Sequence, residues 1–373
     1  MADSSLVRKY RRIAQLVVEQ NLRIKKGEQV NIVTWGHTLD AAGEVAHAVQ
    51  KKGANPFVQV KIEDQWFRSM AELDIKELKV KDRFDLATAG VEDVVIFLSG
   101  PKDPVRFQKV SYEKMHAMWD PELRKEIDAV HKKRKTRFAF LNIGQATQER
   151  ARSYGISYQG WHDGMLDALM TDPKVMARTA RPIIAALKKG KTATVTSQDG
   201  SLLELELDGR EPVLDDGVLR PKDIEAGDTF VHLPSGVVFC APLEWKAKGR
   251  IVYDLGIPSR AKWIRKPWVE VEKGRVKKYG AEENQNEFKS SVGPIDKDKN
   301  IGLGYITIGV NPAAKPTFID NQMAPGVIGV HFGNNDTFGG TIKNAQHFVG
   351  GFAAKATLEI DGKPVVEKGK LAK

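Results

Sequence analysis

Apolar residues along the first half of the chain follow the spacing of helices and strands in alternation. Residues 10–20 and 38–49 carry one apolar stripe each, at helical spacing, and they predict two helices. Short apolar runs at 30–33 and 56–60 predict the strands that follow these helices. The order strand, helix, strand implies parallel strands joined by right-handed crossovers.

The same alternation continues toward the middle of the chain. We predict further strands at 91–98 and 137–143, and helices at 147–154, 161–187 and 110–130, the last with a possible break at Asp120-Pro121. This first part is therefore predicted to be α/β with a mostly parallel sheet.

The pattern changes after Gly190. Residues 192–196 and 202–207 alternate and flank Asp199-Gly200, which predicts a β-hairpin. In the rest of the chain only 281–292 has helical spacing. The other predicted strands are 231–233, 237–241, 250–253, 268–272, 305–310, 327–332 and 356–360.

We therefore expect an N-terminal α/β domain at 1–187 and a β-rich α+β domain at 191–373, which would carry the active site. A length of 373 residues fits two domains, because single cores stop growing at about 250–300 residues. The composition, 41% hydrophobic and 28% charged, is typical of globular proteins.

The net charge of +10 adds little to this prediction. The lysines are spread along the chain and no nucleic-acid motif accompanies them, so we expect no nucleic-acid partner. No run of about eighteen apolar residues predicts a membrane span. No signal-peptide pattern opens the sequence and only one cysteine, Cys240, is present, so we expect a cytoplasmic protein without an internal disulfide.

Common catalytic and cofactor motifs are missing from the sequence. The eight histidines form no His-Glu-x-x-His pair, and neither a dinucleotide-binding nor a nucleophile-elbow motif occurs. His331 and His347 lie in a stretch rich in glycine and asparagine. Such residues shape a ligand pocket in some proteins and form ordinary turns in others, and the pattern leaves both open.

Several stretches of the sequence carry a resemblance to a known family. In the first half they are 16–19, 24–32 and 44–54, and in the second half the most specific is Leu233-Pro234-Ser235-Gly236-Val237-Val238-Phe239-Cys240-Ala241-Pro242. Residues 308–312 follow in the expected order. Together they resemble the aminopeptidase T family, dimeric metallopeptidases of broad specificity.

The resemblance implies a two-metal site whose ligands are carboxylates, histidines and a tyrosine. The positions of the two family glutamates correspond to Val237 and Tyr305, and one family histidine corresponds to Gly329. The final His-x-Asp corresponds to His347 and Val349, so only the histidine is retained. The family tyrosine falls near Asp336.

Valine and glycine offer no side-chain donor to a cation, so we predict that the two-metal site is absent. No cofactor is expected on this prediction, whereas a member that keeps the family chemistry would need zinc, cobalt, manganese or iron to activate water.

Of two other kinds of metal site, the sequence lacks the pattern of one and leaves the second open. The 2,5-dihydroxypyridine dioxygenases, a related ring-cleaving branch, hold iron with two histidines and an aspartate, and the chain lacks their His-x-Asp. A mononuclear site built from His347, His331 and either Asp320 or Glu244 stays open.

Three functions therefore remain open, and so does the question of whether the chain is an enzyme. The first is an aminopeptidase-like hydrolase, with a homodimer implied by the resemblance. The second is a divergent enzyme acting on a small molecule or peptide, with Tyr305, His331 and His347 as catalytic candidates. Its candidate substrate-binding residues are Asn334, Asn335 and Asp336. The third is a non-catalytic binding protein on the same scaffold.

Overall fold

The chain forms two compact units. One combines Met1–Met170 with Gly217–Pro234, and the other combines Thr171–Asp216 with Ser235–Lys373. The computed structural model describes residues 4–79, 82–98, 100–117, 121–207, 209–292, 301–317, 321–343 and 349–372.

The helices lie mainly in the first half of the chain. They are α1 (Ser4–Leu16), α2 (Leu39–Lys51), α3 (Glu63–Glu72), α4 (Ile75–Leu78), α5 (Arg83–Ala89), α6 (Tyr112–Ala117), α7 (Pro121–Arg134), α8 (Gln148–Ser153), α9 (Tyr158–Leu169), α10 (Pro173–Lys189), α11 (Pro221–Glu225) and α12 (Gln285–Val292). A π-helical turn at Val17–Asn21 and short 3₁₀ turns at Gly36–Thr38, Pro104–Lys109, Asn142–Gly144 and Asp336–Phe338 complete them.

The strands are distributed over both units. They are β1 (Gln29–Trp35), β2 (Asn55–Lys61), β3 (Val94–Leu98), β4 (Arg137–Leu141), β5 (Thr192–Thr196), β6 (Leu202–Glu206), β7 (Val213–Asp215), β8 (Phe230–Leu233), β9 (Val237–Cys240), β10 (Lys248–Val252), β11 (Ile257–Ser259), β12 (Lys262–Ile264), β13 (Trp268–Glu272), β14 (Arg275–Gly280), β15 (Leu303–Gly309), β16 (Ile328–Phe332), β17 (Val349–Ala353), β18 (Thr357–Ile360), β19 (Lys363–Glu367) and β20 (Lys370–Leu371).

A five-stranded parallel sheet is the centre of the first unit, with the order β2-β1-β3-β4-β8. Its inner strands β1 and β3 are almost entirely buried, which explains why they appear in the sequence as continuous apolar runs. The predicted parallel α/β part is thus confirmed.

One strand lies in a different sheet from the one expected. Residues 231–233 were predicted among the strands of the second part, but β8 pairs with β4 in the parallel sheet, with Leu141 opposite Leu233. A four-residue strand carries too short a pattern to identify its partner.

One predicted helix is divided in the structure. The helix expected at 161–187 forms α9 and α10, and Asp172 begins α10 by accepting a hydrogen bond from the Lys174 backbone N–H at 2.8 Å. Pro173 occupies the first helical position, where its missing N–H costs nothing. The predicted 110–130 helix, with its possible break at Asp120-Pro121, includes α6 and α7, and residues 118–120 lie outside the described residues.

The second unit is built from two main antiparallel sheets. The eight-stranded sheet has the order β14-β13-β10-β6-β5-β18-β19-β20, and the five-stranded sheet has the order β17-β16-β15-β9-β7. One hydrophobic core takes side chains from both, including Val195 and Leu203 from the first sheet and Ile306 and Val330 from the second. The β-rich second part is confirmed.

The helices were compared with the length and apolar character that a membrane span requires. None of those in the described part of the chain is both long enough and apolar enough to cross a membrane.

Candidate active site

The five-stranded sheet of the second unit has two chemically different faces. Strand alternation sends Ile306, Ile308 and Val330 into the hydrophobic core. The residues between them therefore project from the opposite face. That face carries Tyr305 and Thr307 on β15, and Gly329 and His331 on β16.

Tyr305 and His331 are neighbours on adjacent strands of this face. They are directly paired in the β15–β16 register, and their rings stack with centroids 4.7 Å apart and planes 22° apart. His331 is 4% exposed, whereas Tyr305 is only partly buried. The phenol ring thus forms the more accessible half of the stack.

Three phenylalanines extend this stack into an aromatic surface. Phe239 lies 5.6 Å from Tyr305 and 4.4 Å from Phe338 between ring centroids, and the Phe239 and Phe338 planes are parallel to within 2°. Phe352 meets His331 edge-on at 5.3 Å. We call Phe239, Tyr305, His331, Phe338 and Phe352 the aromatic face.

Glycines on both sides give the His331 ring its space. A Cβ added at Gly350, which pairs with His331, would lie 1.9 Å from the imidazole Nδ1. A Cβ added at Gly329 would lie 2.6 Å from Nε2 and 2.2 Å from the Thr307 hydroxyl. The imidazole therefore occupies the volume that side chains at both positions would need.

Burial keeps both members of the stack uncharged. It lowers the pKa of His331 to about 3, so the imidazole is neutral at neutral pH. It also raises the pKa of Tyr305, so the phenol keeps its proton. A neutral imidazole can bind a metal or accept a hydrogen bond, but it is not an acid at this pH.

Among the described residues, the sequence-predicted ligand positions do not converge on one point. Tyr305 and Gly329 lie on adjacent strands of the same face. Val237 is 2% exposed and pairs with Gly309, four residues along the strand from Tyr305, or about 13 Å at strand rise. The backbone of Val349 pairs with that of Phe332. His347 and Asp320 lie outside the described residues.

A buried carboxylate holds the loop that follows β16. Glu244 Oε1 accepts hydrogen bonds from Asn335 Nδ2 at 3.0 Å and from the Thr341 backbone N–H at 2.6 Å and hydroxyl at 3.1 Å. Its Oε2 accepts from Arg210 Nη2 at 2.8 Å. With both oxygens occupied, Glu244 has little capacity left for the mononuclear metal site that the sequence left open.

The three predicted substrate-binding residues have different environments. Asn335 is fully buried, and its amide also donates to the Gly304 carbonyl at 2.9 Å and accepts from the Ile342 N–H at 2.8 Å. Asn334 and Asp336 are exposed. The structure thus brings two of the three to the surface and uses the third to shape the loop.

The described residues do not fit a two-metal centre of the kind that the resemblance implies. No three His, Cys, Asp or Glu side chains among them come together in a way that could hold a metal ion. Asp215 is the one carboxylate at a described strand position on this face, and it lies opposite Val237, far along the sheet from His331.

Sequence reasoning missed the phenylalanines of the aromatic face. Phe239 and Phe352 belong to period-two strands, so either face was possible for them. The pairing register of the strands is the signal that identifies them. Thr307 pairs with Phe239 on one side and with Gly329 on the other, and Gly329 pairs with Phe352, so both phenylalanines lie on the face of Thr307.

Solved structures share the fold over nearly the full chain. Wild-type AmpT from Thermus thermophilus matches with a TM-score of 0.73 and 16% identity, covering 98% of this chain and 99% of that chain. The 2,5-dihydroxypyridine dioxygenase from Pseudomonas putida KT2440 matches with a TM-score of 0.60 and 16% identity, covering 100% of this chain and 98% of that chain. At such identities the likeness shows the fold alone.

The sequence itself matches the family described as thermophilic metalloprotease (M29) over residues 7–299. A search of curated proteins finds no match. The matched range is more than half of the chain and confirms the resemblance. This chain belongs to the thermophilic metalloprotease (M29) family.

Proposed function

We propose that this chain is an aminopeptidase-like hydrolase in which the aromatic face takes the place of the family's two-metal centre. Membership of a metalloprotease family supports the hydrolase. The position of His331 supports the replacement of the two-metal centre by the aromatic face, because the imidazole fills the space in front of Gly329. The family match also ends at residue 299, before the strands that hold Tyr305 and His331.

The aromatic face suits the apolar part of a small peptide or amide. Phenylalanine rings offer a large apolar contact area, and the Tyr305 hydroxyl, protonated at neutral pH, can donate a hydrogen bond to a substrate oxygen. We therefore assign Tyr305 as the residue that contacts the substrate.

His331 has a different part in this proposal. A base with a pKa of about 3 takes up almost no protons at neutral pH, so His331 is a poor general base there. It instead fixes the orientation of Tyr305 through the ring stack. His331 is thus a positioning residue.

A divergent small-molecule enzyme or binding protein is the second candidate. The observation that favours it is the uncharged character of the aromatic face, which offers apolar surface and neutral polar groups. A mononuclear site would need His347 or Asp320, which lie outside the described residues, because the Glu244 carboxylate is already occupied.

Metal content and peptidase activity test this proposal together. We expect no stoichiometric transition metal in the undialysed protein by plasma mass spectrometry, and hydrolysis of aminoacyl amides that a chelator does not inhibit. Tyr305→Phe should reduce kcat/KM by about tenfold or more, as expected for loss of one substrate hydrogen bond. Tyr279→Phe, on the other main sheet, is the matched control.

Two results would overturn the proposal. Two metal ions per chain with chelator-sensitive hydrolysis would show that the family centre is retained. Specific binding of a small molecule without any hydrolysis across the panel would favour the second candidate. His347→Ala, measured alongside, reports whether the histidine implied by the resemblance contributes.

The homodimer and the cytoplasmic location belong to the proposal too. Both come from the sequence and the resemblance. Light scattering on the purified chain tests the dimer, and a mass of one chain would refute it.

A further inference from the structure

A partly enclosed cavity of about 230 Å³ lies within the first unit. Much of its wall comes from the segments that follow three parallel strands. His37 and Thr38 follow β1, Lys102 follows β3, and Thr147 and Glu149 follow β4. Because the three strands are parallel, these loops meet at one edge of the sheet.

The order of the strands explains why a cavity forms there. The chain passes from β1 outward to β2 and then returns to β3 on the other side of β1. At this reversal the connections leave in opposite directions and open a crevice at the carboxyl ends of the strands. In open α/β sheets this crevice is the general location of ligand sites.

The cavity contains one charge of each sign. Lys102 Nζ lies 2.7 Å from Glu149 Oε1, and the two side chains are 49% and 31% exposed. Glu149 Oε2 is buried and accepts no hydrogen bond from the described residues. The carboxylate is thus only half engaged, and the ammonium remains partly open to the cavity.

The loops that carry these charges are held in place. The Lys102 backbone N–H donates to Glu63 at 2.8 Å, and its carbonyl accepts from the Thr147 hydroxyl at 2.7 Å. Thr147 also begins α8 by accepting from the Arg150 N–H at 3.1 Å. Lys102 and Glu149 are therefore positioned before any ligand arrives.

The remaining walls combine tyrosine, histidine and other polar side chains with a few apolar ones. Burial raises the pKa of Tyr10 to about 12 and also raises that of Tyr158, so both hydroxyls keep their protons. Burial lowers the pKa of His162, which is neutral at neutral pH. His37 Nε2 donates to the Gly144 carbonyl at 3.0 Å, because a carbonyl can only accept.

We propose that this cavity binds a small zwitterion, a free α-amino acid, with its ammonium at Glu149 and its carboxylate at Lys102. The ligand exchanges the Lys102–Glu149 contact for one contact to each charge. The rings of Tyr10 and Tyr158 accommodate its side chain. The volume lies below the range of about 300–1,000 Å³ typical of drug-sized ligands, as a single amino acid requires.

This site goes beyond the proposed hydrolase and does not depend on it. Its residues belong to the first unit, whereas the aromatic face belongs to the second.

Calorimetric titration of the full chain tests the ligand class. The probes are leucine, leucinol, which lacks the carboxylate, N-acetyl-leucine, which lacks the ammonium, and glucose, an uncharged polyol. We expect leucine to bind and the three others to bind at least about tenfold more weakly, since each lacks a charged hydrogen-bonding group. This comparison uses the unmodified protein, so it does not depend on whether a variant folds.

Variants then locate the site. Glu149→Gln and Lys102→Met should each weaken leucine binding by about tenfold or more. Glu72→Gln, which removes the carboxylate of the exposed pair that Glu72 forms with Arg68 at 3.0 Å, is the matched control and should leave it unchanged. Circular dichroism verifies the fold of each variant.

Three outcomes would overturn the proposal. Equal binding of leucinol or glucose would show a different ligand class. Leucine affinity that is unchanged in both cavity variants would place the binding elsewhere, and if Tyr305→Phe alone weakened it, the aromatic face would be the site. No binding by any probe at millimolar concentration would also refute it.

Discussion

Replacing Gly350 by alanine tests the packing of His331 directly. The new Cβ would lie 1.9 Å from Nδ1, far inside van der Waals contact, and the ring cannot retreat toward Gly329, whose own added Cβ would lie 2.6 Å from Nε2. Overpacking of this kind costs about 1–3 kcal/mol. Alanine also lowers the conformational entropy of the unfolded chain, which offsets at most about 1 kcal/mol of this cost. We therefore expect a net destabilisation of about 1–2 kcal/mol.

The same change should behave differently once the ring is gone. His331→Ala alone leaves a void and destabilises the chain by about 2–4 kcal/mol. In that background Gly350→Ala should be neutral or stabilising, because its methyl group partly fills the void. The two substitutions are thus expected to be coupled by about 1–3 kcal/mol.

Urea unfolding of the four proteins in this cycle provides the free energies. Hydrogen exchange of the β16 amides reports the local effect, since two units need not unfold together. Gly43→Ala is the control, because Gly43 is exposed within α2 with nothing within 4 Å of an added Cβ. It should stabilise the chain by about 0.5–1 kcal/mol. Equal costs of Gly350→Ala in both backgrounds would mean that the imidazole does not lie against Gly350.

Three further predictions concern single residues. Glu244→Gln should destabilise the second unit by about 1–3 kcal/mol in urea unfolding, because it removes the charge that faces Arg210. Burial would raise the pKa of Glu244, but its hydrogen bonds and Arg210 outweigh burial and lower the pKa in the folded state. The stability that the carboxylate contributes is therefore present above about pH 4.3, the pKa in the unfolded chain, and is lost as the pH falls through the lower pKa of the folded state. Acid unfolding of the wild type compared with Glu244→Gln would show this loss. Cys240 should resist thiol reagents at pH 8 until urea unfolds the chain, because burial raises its pKa to about 12, and rapid labelling of the native protein would contradict this. Asp172→Ala removes the cap of α10 and should cost about 1 kcal/mol in the same unfolding assay, whereas an unchanged midpoint would show that the Lys174 N–H finds another acceptor.

The sequence predicts best the strands in which buried and exposed residues follow a regular pattern. Strands β1 and β3 are buried on both faces and appear as continuous apolar runs, and β5 and β6 alternate around a clear turn. The helices α3 and α5, by contrast, are largely exposed and were not predicted, since an exposed helix needs only a narrow apolar stripe.

The partners of a strand are harder to predict than the strand itself. β8 was expected as a strand, yet its place beside β4 is a long-range pairing that a four-residue pattern does not encode. Asn335 shows the same limit at the site. The sequence marks it as a polar loop residue, but only the structure shows that its amide is already used by Glu244 and Ile342.

The two candidate sites differ in how the fold assembles them, and this decides which one a sequence can reveal. In an antiparallel sheet, site residues occupy neighbouring strand positions, so Tyr305 and His331 lie within one short stretch of sequence and attract notice together. At the carboxyl edge of a parallel sheet, each loop contributes one or two residues and a helix separates it from the next. His37, Lys102 and Glu149 are consequently far apart in sequence, with no spacing that a motif could capture. A site of the second kind becomes visible only when the order of the strands is known, because the reversal between β1 and β3 creates the crevice and selects the loops that line it.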